Sequence, residues 1–469
     1  MPSKPTPKKP ATVVAMPVAP APVKKGPAPL PLVRGMRDIL PVEWPYWQKL
    51  FREAEALSEA YGYERIETPV LEETALFVRG VGKTTDIVEK ELYSFETTGG
   101  EKLSLRPEGT APICRAYIHH GMLNKPQPVK FWYWSSMFRH DRPQSGRYRE
   151  FWQYGLEILG AADPVLDAQA AFLAWKLVQS VGVESVIHIN SIGTPESRAN
   201  YKNALVAYFR TKRHKLSEED KKRLVKNPLR LLDSKEPGMD ELKAEAPQIV
   251  DWLDEESKAH FMRVLEYLDE AGAPYQLNPY LVRGLDYYTK TVFEIMPVSD
   301  DPSVAAMSLG GGGRYDGLME LLGGRPTPAC GVALGLERIV ARMRAAAPPA
   351  PVVVVAPSVD GKEPVPVPEA LAPREVFVAQ LGEQGRKKAF ALFEELRAAG
   401  IRAGEAMSKD AIKAQMELAN RMGAKWAVII GQKEVLDGTA IIRDMDAGTQ
   451  ETVDARKVAQ ELKKKLGKE

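Results

Sequence analysis

The stretch that most constrains this chain is residues 131–160, FWYWSSMFRHDRPQSGRYREFWQYGLEILG. Its first half is aromatic and has the composition of a buried strand. Residues 140–146 contain a proline and a glycine, which break the strand, and an aromatic run resumes after them. The stretch therefore predicts an antiparallel hairpin.

The second strand of this hairpin predicts one apolar face and one graded polar face, because side chains alternate between faces along a strand. The polar face has Arg147 near the turn and Glu157 at its far end, and Arg139 lies before the turn. Such a face suits a ligand with phosphates at one end and a cation or hydrogen-bond donor at the other. The alternative is a solvated face, whose exposed ion pairs contribute only about 0–1 kcal/mol each.

The charge and cysteine content exclude several classes of protein. A formal net charge of +2 over 469 residues does not indicate a nucleic-acid partner, so any basic surface must be local. Cys114 and Cys330 are the two cysteines, and their separation argues against a disulfide framework or a cysteine zinc site and favours a reduced, cytoplasmic setting. No apolar run approaches the ~18 residues of a membrane span, so no membrane partner is expected.

The two ends of the chain differ from its middle in composition. Residues 1–30 are rich in Pro, Ala and Lys and predict a disordered or polyproline-like extension, with a weak RNA-binding arm as the alternative. Residues 345–373 predict a Pro-rich linker. Residues 374–469 alternate strand and helix patterns, which predicts a separate parallel or mixed α/β domain.

Residues 31–344 contain further strings of interest. They are LVRGMRDILP over 32–41, which leads into an amphipathic helix pattern through about residue 61, then a short strand over 65–69, LSLRPEGT over 103–110, LVRGLDYYTKTVFEI over 281–295, LGGGGRYDGL over 309–318 and ACGVALGLERIVARMR over 329–344. Successive glycines allow a backbone to approach a ligand, but this string lacks the spacing of a Walker loop or a dinucleotide fingerprint. Residues 195–274 predict charged helices with basic blocks over 210–215 and 221–226, for which a solvated face is the ordinary interpretation.

Together these strings resemble the class II aminoacyl-tRNA synthetases and, among them, the histidyl-tRNA synthetase family. FRHDRPQSGRYREFWQ is similar to motif 2, the helix and strand ending at Pro69 to the dimer-forming motif 1, and GLER to the core of motif 3. RPEGT is intact, and residues 281–295 and 309–318 resemble the two histidine-specific signatures. The resemblance implies an α+β fold: an antiparallel-sheet catalytic domain over 31–344 with a helical insertion over about 195–274, and a C-terminal α/β anticodon-binding domain over 374–469.

The resemblance also implies an activity. L-histidine would be activated with ATP to histidyl-adenylate, releasing pyrophosphate, and transferred to the 3′ end of histidine tRNA. Mg²⁺ would bridge phosphate oxygens without a metal site on the protein, the insertion would touch the tRNA acceptor stem, and the chain would be a homodimer. Two alternatives stay open: a non-catalytic synthetase-like regulatory subunit of ATP phosphoribosyltransferase, and another class II synthetase, which should lack the two histidine strings.

The resemblance assigns a role to each candidate site residue. Arg139 and Arg283 would hold the α-phosphate as the catalytic pair, whereas Arg147 and Arg338 would grip the outer phosphates, to which a planar bidentate cation is chemically suited. The residues around the amino acid would be Glu108, Thr110 and Gln153 at its backbone, Glu157 and Tyr288 at its imidazole, Tyr287 as a further histidine-binding residue, and Tyr315 closing the pocket. Asp141 departs from the pattern because some members have Glu there, which concerns only the fine positioning of the nucleotide.

Overall fold

The computed structural model describes residues 30–82, 85–143, 146–234, 236, 238–346 and 374–468. The predictions made for the N-terminal extension and for most of the Pro-rich linker lie outside these residues. Residues 30–346 contain an eight-stranded sheet and a three-stranded sheet, and residues 374–468 contain a five-stranded sheet.

The strands of the first part are β1 (Glu64–Arg65), β2 (Leu71–Glu73), β3 (Ser94–Glu96), β4 (Lys102–Leu105), β5 (Val129–Phe138), β6 (Glu150–Leu159), β7 (Ser185–Ser191), β8 (Tyr275–Leu277), β9 (Thr289–Pro297), β10 (Gly310–Arg314) and β11 (Ala329–Gly335). Eight of them form one sheet in the order β1-β5-β6-β11-β10-β9-β7-β8, and the other three form the small sheet β2-β4-β3. In the large sheet the β1–β5 and β7–β8 pairs at the two ends are parallel and the inner pairs are antiparallel. This mostly antiparallel sheet agrees with the α+β class predicted from the sequence.

The helices of the same part are α1 (Trp44–Ala60), α2 (Thr74–Gly80), α3 (Thr110–His119), α4 (Pro164–Ser180), α5 (Pro195–Thr211), α6 (Glu218–Lys226), α7 (Met239–Ala244), α8 (Glu255–Glu270), α9 (Pro302–Ala305), α10 (Leu318–Leu321) and α11 (Leu336–Ala346). Short helical turns lie at Ile87–Glu91, Met122–Asn124, Arg213–Lys215, Pro228–Leu231 and Ile249–Trp252. Helix α1 agrees with the helix predicted to follow residues 32–41 and to end at about Tyr61. Pro45 occupies its first turn, where the missing N–H of proline is tolerated.

The predicted hairpin is confirmed as β5 and β6, which pair from Val129 with Leu159 to Phe138 with Glu150. The solvated-face alternative is wrong for the far end of β6, which is buried on both faces from Tyr154 onward. One core covers the face of the sheet that carries α1 and α4, and a second core covers the face that carries α3 and α5. Glu157 is consequently an interior carboxylate, 1% exposed.

The four glycines of residues 310–313 form most of β10, a central strand of the large sheet. Neighbouring backbone leaves no room for side chains, since a Cβ on Gly312 would lie 2.0 Å from the carbonyl oxygen of Gly331. A Cβ on Gly311 would also lie 2.8 Å from Nη1 of Arg283. The glycines therefore allow close strand packing and, at Gly311, the seating of a predicted site residue.

The helical segment predicted over about 195–274 divides between two cores. Residues of α5, α6 and α7, such as Tyr201, Leu224 and Met239, belong to the core that also contains residues of α3. Helix α8 contributes Phe261 and Val264 to the opposite core, where it contacts α4. Helix α8 is thus part of the support of the large sheet.

The C-terminal part contains β12 (Val376–Gln380), α12 (Gly382–Ala398), β13 (Ala403–Glu405), α13 (Ile412–Arg421), β14 (Trp426–Ile430), α14 (Gln432–Asp437), β15 (Thr439–Asp444), β16 (Gln450–Asp454) and α15 (Val458–Lys465). The sheet order is β13-β12-β14-β15-β16, with β12 parallel to β13 and β14, and β15 antiparallel to both of its neighbours. The mixed sheet was predicted, but β15 and β16 were not. Across the described ranges, no helix has the length and apolar character needed to cross a membrane.

Candidate active site

One cavity of about 680 Å³ brings together ten of the eleven candidate site residues. It lies on the large sheet, where β6, β9, β10 and β11 meet the turn before α3 and the start of α11. The ten residues are Glu108, Thr110, Arg139, Arg147, Gln153, Arg283, Tyr287, Tyr288, Tyr315 and Arg338. The eleventh, Glu157, lies directly behind the wall, where it contacts two of the lining residues.

Glu108 lies at the N-terminal end of helix α3. Its carboxylate accepts hydrogen bonds from the backbone N–H groups of Thr110 at 2.7 Å and Ala111 at 3.0 Å. Burial raises the pKa of Glu108, although these two N–H bonds oppose the rise. A carboxylate held this way keeps free lone pairs that can accept from an ammonium group.

Glu157 is held by two hydroxyl groups. Thr110 donates to its Oε1 at 2.7 Å, and the Tyr315 hydroxyl donates to its Oε2. Burial raises the pKa of Glu157 to about 8 in spite of these two bonds. The carboxylate has room because the facing residue is Gly331, on which a Cβ would lie 1.9 Å from Oε2. The network fixes the hydroxyl groups of Thr110 and Tyr315, which both line the cavity.

Three tyrosines form the aromatic wall of this end of the cavity. The ring centroids of Tyr287 and Tyr288 are 4.8 Å apart, and those of Tyr287 and Tyr315 are 5.6 Å apart. Among the described residues, Gln153 Oε1 and the Tyr133 hydroxyl are buried without a hydrogen-bond partner. Buried polar groups are normally paired, so these two atoms are suited to receive a polar ligand.

Arg283 stands between this aromatic wall and the rest of the cavity. It forms an ion pair with Glu294 of β9 and lies 5.8 Å from the ring centroid of Tyr288. Burial disfavours its charge, but Glu294 and Tyr288 outweigh burial and raise the pKa of Arg283. The guanidinium is thus a fixed cation inside the cavity.

The other three arginines gather at the opposite end. Arg139 Nε donates to the carbonyl oxygen of Pro107 at 2.8 Å, and Arg338 donates to the carbonyl oxygens of Gly146, at 3.0 Å, and Ser308. Burial lowers the pKa of Arg338, and the nearby charges of Arg147 and Arg139 lower it further. Arg139 and Arg338 are held by neutral carbonyl groups, so their charges stay available to an anionic ligand, whereas Arg147 pairs with Asp141 at 3.2 Å.

Sequence reasoning missed several carboxylates of this cavity, among them Glu294 and Glu337. Glu294 pairs with Arg283, and Glu337 accepts the backbone N–H of Trp152 at 2.9 and 3.1 Å. Burial raises the pKa of Glu337 to about 7. The two residues lie in the strings TVFEI and GLER, but their partners are set by the fold: Trp152 is 185 residues from Glu337.

Comparison with known proteins gives consistent matches. The sequence model of the family described as histidyl-tRNA synthetase matches residues 35–339, and that of the anticodon binding domain matches residues 375–465. The chain is 44% identical over 434 residues to the histidine–tRNA ligase of Dehalococcoides mccartyi, covering 92% of this chain and 99% of that protein. It is also 44% identical over 434 residues to the histidine–tRNA ligase of Pelotomaculum thermopropionicum, covering 92% and 97%. The crystal structure of apo S. aureus histidyl-tRNA synthetase matches with a TM-score of 0.71 and 34% identity, covering 92% of this chain and all of that one.

Proposed function

Because the chain belongs to the histidyl-tRNA synthetase family, we propose that the cavity lined by the candidate site residues binds ATP at its arginine end and histidine at its tyrosine end. The overall reaction is that of a histidine–tRNA ligase: histidine is activated with ATP to histidyl-adenylate, pyrophosphate leaves, and histidine passes to the 3′ end of histidine tRNA. The observation that carries the assignment is the separation, within one cavity, of an arginine cluster from a buried carboxylate network.

The activation step needs position and charge stabilisation more than a reactive side chain, because the histidine carboxylate itself attacks the α-phosphate. We assign Arg139 and Arg283 to the α-phosphate, whose oxygens gain charge as the new bond forms. Arg283 is suited to this because Glu294 fixes its position. Arg147 and Arg338 are assigned to the β- and γ-phosphates, which leave as pyrophosphate.

At the histidine end, each side chain has a distinct part. Glu108 accepts from the α-ammonium group, and the Thr110 hydroxyl, which already donates to Glu157, accepts from the same group. Gln153 adds its unpartnered amide oxygen. We assign Glu157, together with the Tyr315 hydroxyl that donates to it, to recognition of the imidazole.

The remaining two tyrosines complete the histidine end. Tyr288 faces the imidazole, and Tyr287 packs between Tyr288 and Tyr315. Such a wall favours a flat, polar ring over an aliphatic side chain. Because many polar groups of this site are buried, a ligand that leaves them without hydrogen-bond partners binds with lower affinity.

Mg²⁺ would bind at the arginine end together with the phosphates of ATP. In the part of the chain that the structure describes, no group of three or more His, Cys, Asp or Glu side chains could hold a metal ion. Glu91 and Asp141 both line the cavity at this end, and Asp141 pairs with Arg147 at 3.2 Å. These two carboxylates would hold the ion jointly with phosphate oxygens, as Mg²⁺ prefers, and its charge would reduce repulsion among the phosphates.

Transfer to tRNA involves the outer parts of the chain. The C-terminal part is an anticodon-binding domain, and we extend the proposal to contact between the exposed Arg210, Arg213 and Lys215 and the acceptor stem. Other basic residues of this segment, such as Arg223 and Lys226, already pair with carboxylates. Use of tRNA and ATP suits the cytoplasm, where we place the reaction.

We also propose that the protein is a homodimer that forms through the α1 face. A groove of about 670 Å³ beside the end strand β1 is lined by Trp44, Trp47, Trp134 and Trp152. Trp44 is 50% exposed, and a large exposed aromatic groove of this kind is typical of a protein–protein contact. Sedimentation would give a dimer for the wild type and a smaller species for Trp44→Glu.

The direct test is histidine-dependent exchange between pyrophosphate and ATP without tRNA. We expect exchange with L-histidine and a background rate with threonine or proline. Equal rates with any other amino acid would overturn the histidine assignment. A chain that binds histidine but supports no exchange would favour the regulatory-subunit alternative.

A further inference from the structure

A second cavity, of about 180 Å³, lies between helix α5 and the loop of residues 282–288. It is lined in part by four residues that also line the active-site cavity: Arg230, Arg283, Leu285 and Tyr288. The two cavities therefore adjoin each other, and Arg283 and Tyr288 are part of the wall that they share.

Two cations of α5 line this second cavity. Arg198 and Lys202 are one helical turn apart, and like charges at this spacing destabilise a helix by about 0.2–0.5 kcal/mol. Arg198 donates to the backbone carbonyl of Tyr288 at 2.6 Å, which anchors it beside the histidine end. Burial lowers the pKa of Lys202, as does the charge of Arg198, while Asp286 raises it. Asp286 also lines this cavity, and the two cations of α5 outnumber this one carboxylate, so an anionic ligand would stabilise them further.

Two further lining groups point to a ligand. Asn227 Oδ1 and Arg283 Nε are buried, and within the described ranges neither has a hydrogen-bond partner. A buried polar group left without a partner costs about 1–3 kcal/mol. A ligand that carries both hydroxyl donors and anionic oxygens would satisfy the two groups, and a ribose phosphate has both.

We propose that this cavity seats a phosphate and ribose of the single-stranded 3′ end of tRNA, with Lys202 as the phosphate contact. The inference rests on the proposed function, in which the terminal ribose of tRNA reaches histidyl-adenylate in the adjoining cavity. The nucleotide that precedes the terminal one must then lie just outside the active site. Arg230 is already held by Asp86 at 2.9 Å, which leaves Lys202 as the cation best placed to take up a phosphate.

The test combines a protein variant with a shortened RNA. Lys202→Met removes the charge and keeps a straight, helix-compatible side chain. Lys258→Met is the control, because Lys258 is an exposed lysine of α8 that pairs with Glu255 at 3.0 Å. Equilibrium binding is measured for histidine tRNA with an intact 3′ end and with its 3′ end removed.

We expect Lys202→Met to weaken binding of intact tRNA about tenfold and to leave binding of the shortened tRNA at the wild-type value. The slope of log affinity against log salt should fall by about 0.7 for the intact tRNA, as for one single-strand phosphate contact. Lys258→Met should behave as the wild type with both RNAs.

Three results would overturn the seat. The first is that Lys202→Met loses equal affinity for both RNAs, and the second is that its loss is no greater than that of Lys258→Met. The third is that pyrophosphate inhibits Lys202→Met less than the wild type while tRNA binding is unchanged, which would make the cavity a polyphosphate site. Pyrophosphate exchange without tRNA separates this inference from the proposed function. If the wild type shows no exchange, the proposed function is refuted. If exchange is normal and Lys202→Met leaves tRNA binding unchanged, only the proposed binding of the tRNA 3′ end in this cavity is refuted.

Discussion

The tyrosine end of the cavity, which we propose binds histidine, and the arginine end, which we propose binds the phosphates, are held in different ways. At the histidine end, the polar side chains of Thr110, Glu157 and Tyr315 bind one another in the interior. At the phosphate end, Arg139 and Arg338 are held by backbone carbonyl groups.

This difference separates selectivity from charge stabilisation. A buried side-chain network loses several contacts at once when the wrong ligand enters, so it discriminates strongly. An arginine held by neutral carbonyls keeps its full charge for the ligand and can still adjust its position. We therefore expect substitutions at the first end to change which amino acid is used, and substitutions at the second end to change the rate or the affinity for ATP.

The largest effect should come from Glu157→Ala. Removing the carboxylate leaves the hydroxyls of Thr110 and Tyr315 without their buried partner, so kcat/KM for histidine should fall by about 10⁴. The KM for ATP should change less than threefold. Steady-state exchange kinetics measure both, with Glu266→Ala on the exposed face of α8 as control. A comparable rise in both KM values would remove the distinction between the two ends.

The next effect should come from Arg283→Ala. Loss of a fixed cation at the developing charge should lower the single-turnover rate of adenylate formation about 10²-fold, with a smaller change in histidine binding. Arg283→Lys should recover little, since one ammonium group cannot replace a planar fork. Arg263→Ala, at an exposed position of α8, is the control. A rate of adenylate formation in Arg283→Ala equal to that of the wild type and of this control would contradict the role.

A third effect should appear in stability and not in catalysis. The pKa of Glu157, raised to about 8 by burial, means that the folded state keeps a proton which the unfolded state has already released. The free energy of unfolding should therefore fall as pH rises from the ordinary glutamate range to about 8. Glu157→Gln lacks this titration, so its Tm relative to wild type should increase by about 2–4 °C between pH 5 and pH 8. A constant Tm difference across this range would show that the carboxylate is not buried as described.

The smallest effect should come from Arg147→Met. Arg147 has a half-exposed side chain and pairs with Asp141 at 3.2 Å, so its contribution is screened by solvent. The KM for ATP should rise about threefold at low salt, and the difference should narrow as ionic strength increases. An effect as large as that of Arg283→Ala would mean that both arginines act in the transition state.

The sequence predicted the parts of the site that lie on short strings. The hairpin follows from strand composition around a turn, and Glu108 follows from an intact RPEGT string. The depth of Glu157 could not be predicted, because alternation along a strand tells which face a residue occupies and not what covers that face. Helices α3 and α5 provide that cover from distant parts of the chain.

Long-range contacts account for the other omissions. Glu337 was next to a predicted residue, yet its contact with the backbone of Trp152 depends on how α11 packs against β6. Strand β16 was missed because it is mostly polar and exposed, and β15 because its apolar run, residues 440–442, is only three residues long. The second cavity beside α5 also forms only when residues 198–202 meet residues 227–230 and 282–288.

The central claim is the orientation of the two reactants, and a crystal structure with a non-hydrolysable histidyl-adenylate analogue tests it most directly. We predict the imidazole beside Tyr288 and the Glu157–Tyr315 pair, the α-ammonium group at Glu108, and the phosphate-like group between Arg139 and Arg283. An analogue bound in the reverse direction, with its imidazole among the arginines, would contradict the account.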